Sequence, residues 1–329
     1  MSAVLLDIEQ LAVSLVGRGG SRTVVADVSF RLEAGEAIGI VGESGSGKSL
    51  SMLSLLRLLP DGAHARAARA WFDGRELLSL TTPELNAVRG REIAIVFQDP
   101  LTALNPVLTI GRQITEVICR HFRVPKTEAR QRAARLLAQV GIPDPELRLR
   151  QYPHQFSGGM RQRVTIAMAL AGEPRVLIAD EPTTALDVTV QADIVSLIQT
   201  LQQQTGMSVI WVTHDLALLA RIADRVLVMY GGRIVEDAPA ERVFASARHP
   251  YTQMLLANLR PEGSTPAATG AGRLQAMADA GSGGCPYAPR CALATNQCRA
   301  HAPSLRRVPD GVRVACWAVD VGRDAVANT

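Results

Sequence analysis

Aromatic residues are scarce in this 329-residue chain, 4% against 47% apolar residues in all. A sizeable core can form, but Ala, Leu, Val and Ile must fill it. No apolar run approaches the roughly 18 residues that a bilayer-crossing helix requires. The N-terminus, "MSAVLLDIEQ", lacks a basic stretch and reaches Asp7 quickly, so it does not read as a secretory signal. A strong excess of one charge is also missing. The 35 Lys and Arg face 31 Asp and Glu, a balance too even to argue for nucleic acid. These absences predict a soluble, cytosolic chain with a mixed, solvated surface. Its length suits one large domain with an appendage, or two modest domains. Cysteine is nearly avoided until the end. Cys119 stands alone, and Cys285, Cys291, Cys298 and Cys316 follow in the tail. In a reducing compartment, such a cluster more often binds metal than forms disulfides.

Residues 4–16 and 24–32 alternate apolar with polar, the pattern of half-buried strands. Ala37–Val41 reads as a buried strand, followed by a Gly-rich turn and a helix from near Lys48 to before Pro60. "EIAIVFQDP", "RVLIADEP" and "MSVIWVTHD" are further short buried strands. "KTEARQRAARLLAQVG" predicts a helix with Thr127 as N-cap and Gly141 as stop. Ala133, Leu136, Leu137 and Val140 share one face of it. "DRVLVMYGGRIVEDA" reads as a hairpin turning at Gly231-Gly232, and "ERVFASARHPYTQMLLANL" as a helix. Residues 261–284 are Pro, Gly, Ala and Ser with little pattern, as in a linker. The cysteine tail spans 285–329. There is no internal repeat.

"GESGSGKS", Gly42–Ser49, has a strand before it and a helix after it, and fits the phosphate-loop pattern. Glycines let backbone N–H groups converge on phosphate oxygens, and the helix N-terminus favours negative charge. Lys48 would neutralise the β- and γ-phosphates and Ser49 would offer a hydroxyl to Mg²⁺. "VLIADEP" ends a buried strand with Asp180, a candidate Mg²⁺ carboxylate. Its neighbour Glu181 could polarise a water. The plainer reading makes this pair the N-cap of the next helix. "SGGMRQR", from Ser157, is a second Gly-rich helix start able to bind an anion. One loop already cradles phosphate, so a second makes sense if it closes over a nucleotide held by another subunit.

The series resembles the ATPase subunits of ABC transporters over residues 1 to about 260. In order, it holds the Walker A loop Gly42–Ser49, the Q-loop Gln98 and "SGGM" at Ser157–Met160. The Walker B pair Asp180–Glu181, the D-loop ending at Asp187 and the switch His214 follow. The resemblance implies an α/β fold: a RecA-like P-loop core in residues 1–260, with a helical subdomain at about 99–165 and an antiparallel β subdomain. It implies a head-to-tail dimer with ATP between the subunits. One subunit would bind ATP through Gly42, Ser44, Gly45, Gly47, Lys48 and Ser49. The other would contribute Ser157, Gly158, Gly159 and Asp187. Mg²⁺ would be held by Ser49, Gln98 and Asp180. Glu181 would act as general base, Gln98 would touch the attacking water, and His214 would hold the γ-phosphate and position that water. Two departures stand out. The usual "LSGGQ" is "FSGGM" here, with Phe156 and Met160 at the outer positions. No aromatic precedes Phe30, so adenine would meet only Leu15 or Val16, which predicts loose discrimination among purine nucleotides.

"FQDPLTALNP", "YPHQFSGGM", "IADEPTTALDVTVQ" and "RHPYTQMLL" look like the dipeptide/oligopeptide importer branch. That branch implies two transmembrane permease subunits and a second ATPase subunit, related or identical. It also implies an extracytoplasmic peptide-binding protein, a peripheral position on the cytoplasmic face of the cell membrane, and no nucleic acid partner. Residues around Gln98–Pro106 would face the permease. Nickel, glutathione, an opine or an antimicrobial peptide are alternative cargoes. A soluble ABC ATPase is the runner-up class, but the tandem domains, coiled-coil insertions and zinc hooks usual there are missing. Relatives of the dipeptide type hold a [4Fe–4S] cluster on four tail cysteines, matched here by Cys285, Cys291, Cys298 and Cys316. Their spacing, C-x5-C-x6-C-x17-C, lacks the tight pairs of zinc sites, and Cys285-Pro286 is similar to ferredoxin ligand runs. Zn²⁺ and free thiols rank behind a cluster. Cys119 is expected in the core.

Overall fold

The computed structural model describes residues 3–17, 20–184, 187–259 and 283–319. The chain forms two compact units. One comprises Leu80–Trp211 with Glu33–Glu36. The other comprises Val4–Leu32, Ala37–Ser79 and the residues from Val212 onward.

In the second unit, the alternating segments pair as long antiparallel strands, Val4–Gly17 and Gly20–Glu33. Shorter strands, Ala63–Arg66, Arg69–Phe72 and Arg75–Glu76, extend this sheet. Leu6, Ile8, Leu11, Phe30 and Leu32 line its buried face. A further set of strands is built on Ala37–Val41, whose five residues are all buried. Such a run marks a strand covered on both faces. Arg225–Tyr230 runs parallel to it, and Arg233–Pro239 returns antiparallel through the expected Gly231-Gly232 turn. The edge is then occupied by the tail. Arg313–Val314 pairs with Glu236–Asp237, and Arg306–Arg307 pairs with Arg313–Val314 in turn.

In the first unit, Ile93–Val96 and Val176–Asp180 are parallel neighbours, with Val96 opposite Ala179; the strand Ser208–Thr213 starts in this unit and ends in the other. The helices Ile110–His121, Lys126–Gln139 and Gly158–Leu170 pack on one another. Ile114, Ile118, Ala133, Leu137, Val164 and Ala167 fill the space between them.

Three expectations fail locally. The helix of Lys126–Gln139 is flanked by Pro125, not capped by Thr127. Proline suits a helix start because its missing N–H has no partner to lose there. The single helix expected after the hairpin is two, Ala240–Ser246 and Pro250–Ala257. Pro250 drives His249 to an extended backbone, φ −80 and ψ 134, and the His249 imidazole caps the new helix through the Tyr251 N–H. Cys119 is exposed, not core. The buried face of its helix runs through Ile110, Ile114 and Ile118, and Cys119 is rotated off it.

Candidate functional site

The phosphate loop of the second unit joins the buried strand Ala37–Val41 to the helix Lys48–Leu55. Two of its glycines are sterically required. A Cβ on Gly42 would lie 2.1 Å from the Met229 carbonyl oxygen. Gly47, at φ 96, would strike Val25 at 2.9 Å. No side chain caps the helix at Gly47 and its first turn holds no acid, which leaves its positive end facing the loop. Lys48 is only 5% exposed. Its ammonium donates to the carbonyls of Gly42 at 2.7 Å and Glu43 at 3.0 Å. Ser44 and Gly45 are exposed and Ser49 is half-buried. His214 also belongs to this unit. It follows the buried strand Ser208–Thr213 and is exposed, just before Asp215 caps the helix Leu216–Ile222.

The first unit brings together Gln98, Asp180 and Glu181, which leave the carboxyl ends of neighbouring parallel strands. Asp180 is 8% exposed at the end of its strand. Glu181 has φ 46, a left-handed conformation that costs a side-chain-bearing residue energy and clusters at functional sites. Its carboxylate accepts from the Thr184 hydroxyl at 2.9 Å. The N-cap reading of this pair fails, because the cap of the next helix, Val188–Thr205, is Asp187. The Asp187 carboxylate accepts from the Val190 N–H at 3.0 Å. Ala185 and Leu186 of the D-loop lie outside the described residues.

Ser157 caps the helix Gly158–Leu170, its hydroxyl accepting from the Met160 N–H at 3.3 Å. Ser157 and Gly158 are exposed. A Cβ on Gly159 would lie 2.7 Å from a Val190 methyl. Met160 is partly covered and Phe156 is buried, so both outer positions of the altered motif are occupied by apolar side chains without disturbing the helix start. Near the N-terminus, Val16 is 54% exposed on its strand.

The four tail cysteines are free thiols, and all of them line one pocket together with Leu293 and Trp317. The Cys285 N–H donates to the Cys298 carbonyl at 2.7 Å, which ties the two ends of the run. Burial pushes the Cys285 and Cys291 thiols up. Burial acts the same way on Cys298, but hydrogen bonds from Thr295 and nearby backbone outweigh it, and that thiol falls. His249 also lines the pocket, and its own burial lowers its pKa to about 4, so it is neutral at pH 7. Among the described residues, no three His, Cys, Asp or Glu gather as ligands of a single metal ion. The contacts of Tyr251 and Arg290 with Glu43 were not foreseeable. Arg290 and Glu43 are 247 residues apart, and no local pattern links them.

The ABC transporter family matches residues 25–184, and the C-terminal region of oligopeptide/dipeptide transporters matches residues 235–298. The oligopeptide transport ATP-binding protein OppD of Bacillus subtilis is 50% identical over 256 residues, covering 78% of this chain and 72% of its own. The dipeptide transport ATP-binding protein DppD of Escherichia coli is 46% identical over 318 residues, 95% of this chain and 96% of its own. Among solved structures, the ATP-binding cassette MJ0796, a dimer in a post-hydrolysis state bound to ADP and Pi, aligns with a TM-score of 0.62. It is 26% identical, over 71% of this chain and 98% of that one.

Proposed function

The chain belongs to the ABC transporter ATP-binding proteins of the oligopeptide/dipeptide type, and on that premise we propose that it powers uptake of short peptides through partner permeases. The observation that carries the ATP reading is the Gly42–Ser49 loop, with its Cβ-excluding glycines and its buried lysine between strand and helix.

Lys48 and the loop amides bind the β- and γ-phosphates, assisted by Ser44, Gly45 and Gly47. Ser49, Asp180 and Gln98 would hold Mg²⁺, which would supply charge neutralisation to the transferring phosphoryl group. Glu181 takes the proton of the attacking water, and its strained backbone supports that role. His214 and Gln98 position that water. Ser157, Gly158, Gly159 and Asp187 act on the nucleotide of a second ATPase subunit. Catalysis is then mostly positioning and electrostatics. Phe97, Leu101 and Val107 are exposed apolar side chains near Gln98, which supports this stretch as the permease-facing surface. The remaining partners are a peptide-binding protein outside the membrane and permeases within it. The chain itself works at the cytoplasmic face. Residues 1–260 form the ATPase, with its helical part at about 99–165, residues 261–284 a linker and 285–329 the extension.

Cys285, Cys291, Cys298 and Cys316 would hold a [4Fe–4S] cluster that staples the extension. Support comes from the single pocket that all four free thiols line. Zn²⁺ on the same four thiols is the alternative, and the C-x5-C-x6-C-x17-C spacing, without the tight pairs of zinc sites, favours the cluster over it. Anaerobic purification with iron, sulfide and zinc analysis tests this. About four irons and four sulfides per chain support the cluster, and one zinc without sulfide refutes it.

The function is tested in the reconstituted transporter. Lys48→Ala should abolish peptide-stimulated ATP hydrolysis and peptide uptake together. Glu181→Gln should keep ATP binding but cut hydrolysis by about 10²-fold or more. Uptake of a metal ion or an opine in place of peptides would overturn the cargo assignment.

A further inference from the structure

The cysteine extension reaches the phosphate loop directly. One Arg290 Nη donates to both carboxylate oxygens of Glu43, at 2.9 and 3.0 Å, and lies 3.4 Å from the Tyr230 hydroxyl. Glu43 is the second residue of the loop, and it is held at three points. Its carboxylate meets Arg290. Its N–H donates to the hydroxyl of the fully buried Tyr251 at 3.0 Å. Its carbonyl accepts from the Lys48 ammonium at 3.0 Å. Whatever fixes Glu43 therefore fixes a carbonyl against which Lys48 rests.

The contact is backed by packing. The chain has only four tyrosines, and three of them converge here. Ring centroids of Tyr230, Tyr251 and Tyr287 lie 4.6, 5.1 and 5.5 Å apart. The Arg290 guanidinium stands 5.8 Å from the Tyr230 ring centre and 6.0 Å from that of Tyr287. Pro286 presses on the hairpin turn, where a Cβ on Gly231 would lie 2.7 Å from the proline ring. Pro286–Arg290 is the whole segment between Cys285 and Cys291, two of the pocket cysteines.

We infer that Pro286–Arg290 is a positioning brace for the phosphate loop, with Arg290 neutralising and holding Glu43, so that ATP affinity depends on how the cysteine pocket fixes the two ends of the brace. Beyond position, the brace acts through charge. Glu43 puts a carboxylate in a loop that must accept a polyanion, and Arg290 offsets it. The inference rests on the reading of Gly42–Ser49 as the ATP phosphate cradle.

The test is binding of a fluorescent N-methylanthraniloyl-ATP to the full chain, with KM and kcat measured in the assembled transporter. Arg290→Ala should raise Kd and KM by about three- to tenfold and leave kcat within about twofold, the range set by a half-exposed charge pair. The loss should shrink as salt rises. In a Glu43→Gln background, Arg290→Ala should change Kd by less than about twofold, since the charge to be offset is gone. Cys291→Ser should raise Kd in the parent chain and add little to Arg290→Ala. A parent-like Kd for Arg290→Ala, or an equal loss with and without the Glu43 carboxylate, overturns the brace. A parent-like Kd for Cys291→Ser overturns its link to the pocket. If Arg290→Ala is unstable, Arg290→Gln, which removes the charge and keeps most of the side chain, replaces it in the same cycle with the same expected outcomes. Lys48→Ala runs beside these variants. If it binds the nucleotide as the parent does, the cradle reading itself falls.

Discussion

Replacing Gly42 by alanine is the most severe small change the phosphate loop can suffer. The added Cβ would stand 2.1 Å from the Met229 carbonyl oxygen and 2.9 Å from the Ser46 hydroxyl. Carbon and carbonyl oxygen normally approach no closer than about 3.3 Å, so the two backbones must part by about 1 Å. Met229 cannot retreat easily. It sits in Arg225–Tyr230, opposite Ile234, in a strand held by neighbours on both sides. The loop moves instead. A displacement of about 1 Å in a positioned reacting group costs about 10²-fold in rate, equivalent to about 2.7 kcal/mol of barrier. Overpacking adds about 1–3 kcal/mol of destabilisation. The assay is ATP hydrolysis in the assembled transporter, with thermal unfolding of the same variant. Gly39→Ala is the matched comparison. Its Cβ would meet the buried Leu219 side chain, at 2.5 Å from one δ-methyl and 3.0 Å from Cγ, but none of its three nearest contacts is a backbone atom, so it overpacks the core without pushing on the loop's backbone. Gly39→Ala should therefore keep most activity. The reasoning is refuted if Gly42→Ala stays within about threefold of the parent in kcat/KM, or if Gly39→Ala loses as much.

Asp237 is 3% exposed and takes both Arg225 and Arg313, which are 21% and 30% exposed. Its replacement by alanine should cost about 2–3 kcal/mol, between the values for surface and buried pairs, seen as a lower urea midpoint with faster proteolysis of the extension. Asp187→Ala removes the side-chain cap at the start of the Val188–Thr205 helix and should cost about 0.5–2 kcal/mol in thermal unfolding. With no aromatic before Phe30, hydrolysis of GTP should run within about tenfold of ATP in kcat/KM; a preference of about 10³ or more would show that another group reads the base.

The sequence and the structure agree where the signal is local. Ala37–Val41 is an unbroken apolar run and forms a strand with every residue buried. The turn between that strand and the helix Lys48–Leu55 falls at the expected glycines, and the hairpin turns at Gly231-Gly232. The two differ where a local rule is outweighed by its surroundings. Pro250 announces a break before it, yet the apolar spacing runs on across it. Cys119 sits one residue beyond a buried isoleucine, so a helix rotation of one position reverses its environment. Asp180 and Asp187 are both plausible caps by residue type, and only the backbone path distinguishes them. Arg290 and Glu43 belong to another class. Nothing periodic connects residues so distant, and their pairing is made by tertiary packing of the tail, whose Arg313–Val314 also completes a sheet begun elsewhere in the chain.

That completed sheet bears on how the protein is made. A ribosome delivers Arg233–Pro239 well before Arg313–Val314, and the Ala315 N–H reaches the Val235 carbonyl, at 2.8 Å, later still. Until then Val235–Asp237 offers unpaired backbone groups along a strand edge, the kind of surface on which nascent chains stick to one another. The closing segment is thus also a guard of the strand edge during synthesis. Recombinant versions cut short of residue 306 should lose yield to aggregation before any loss of ATP chemistry can be measured.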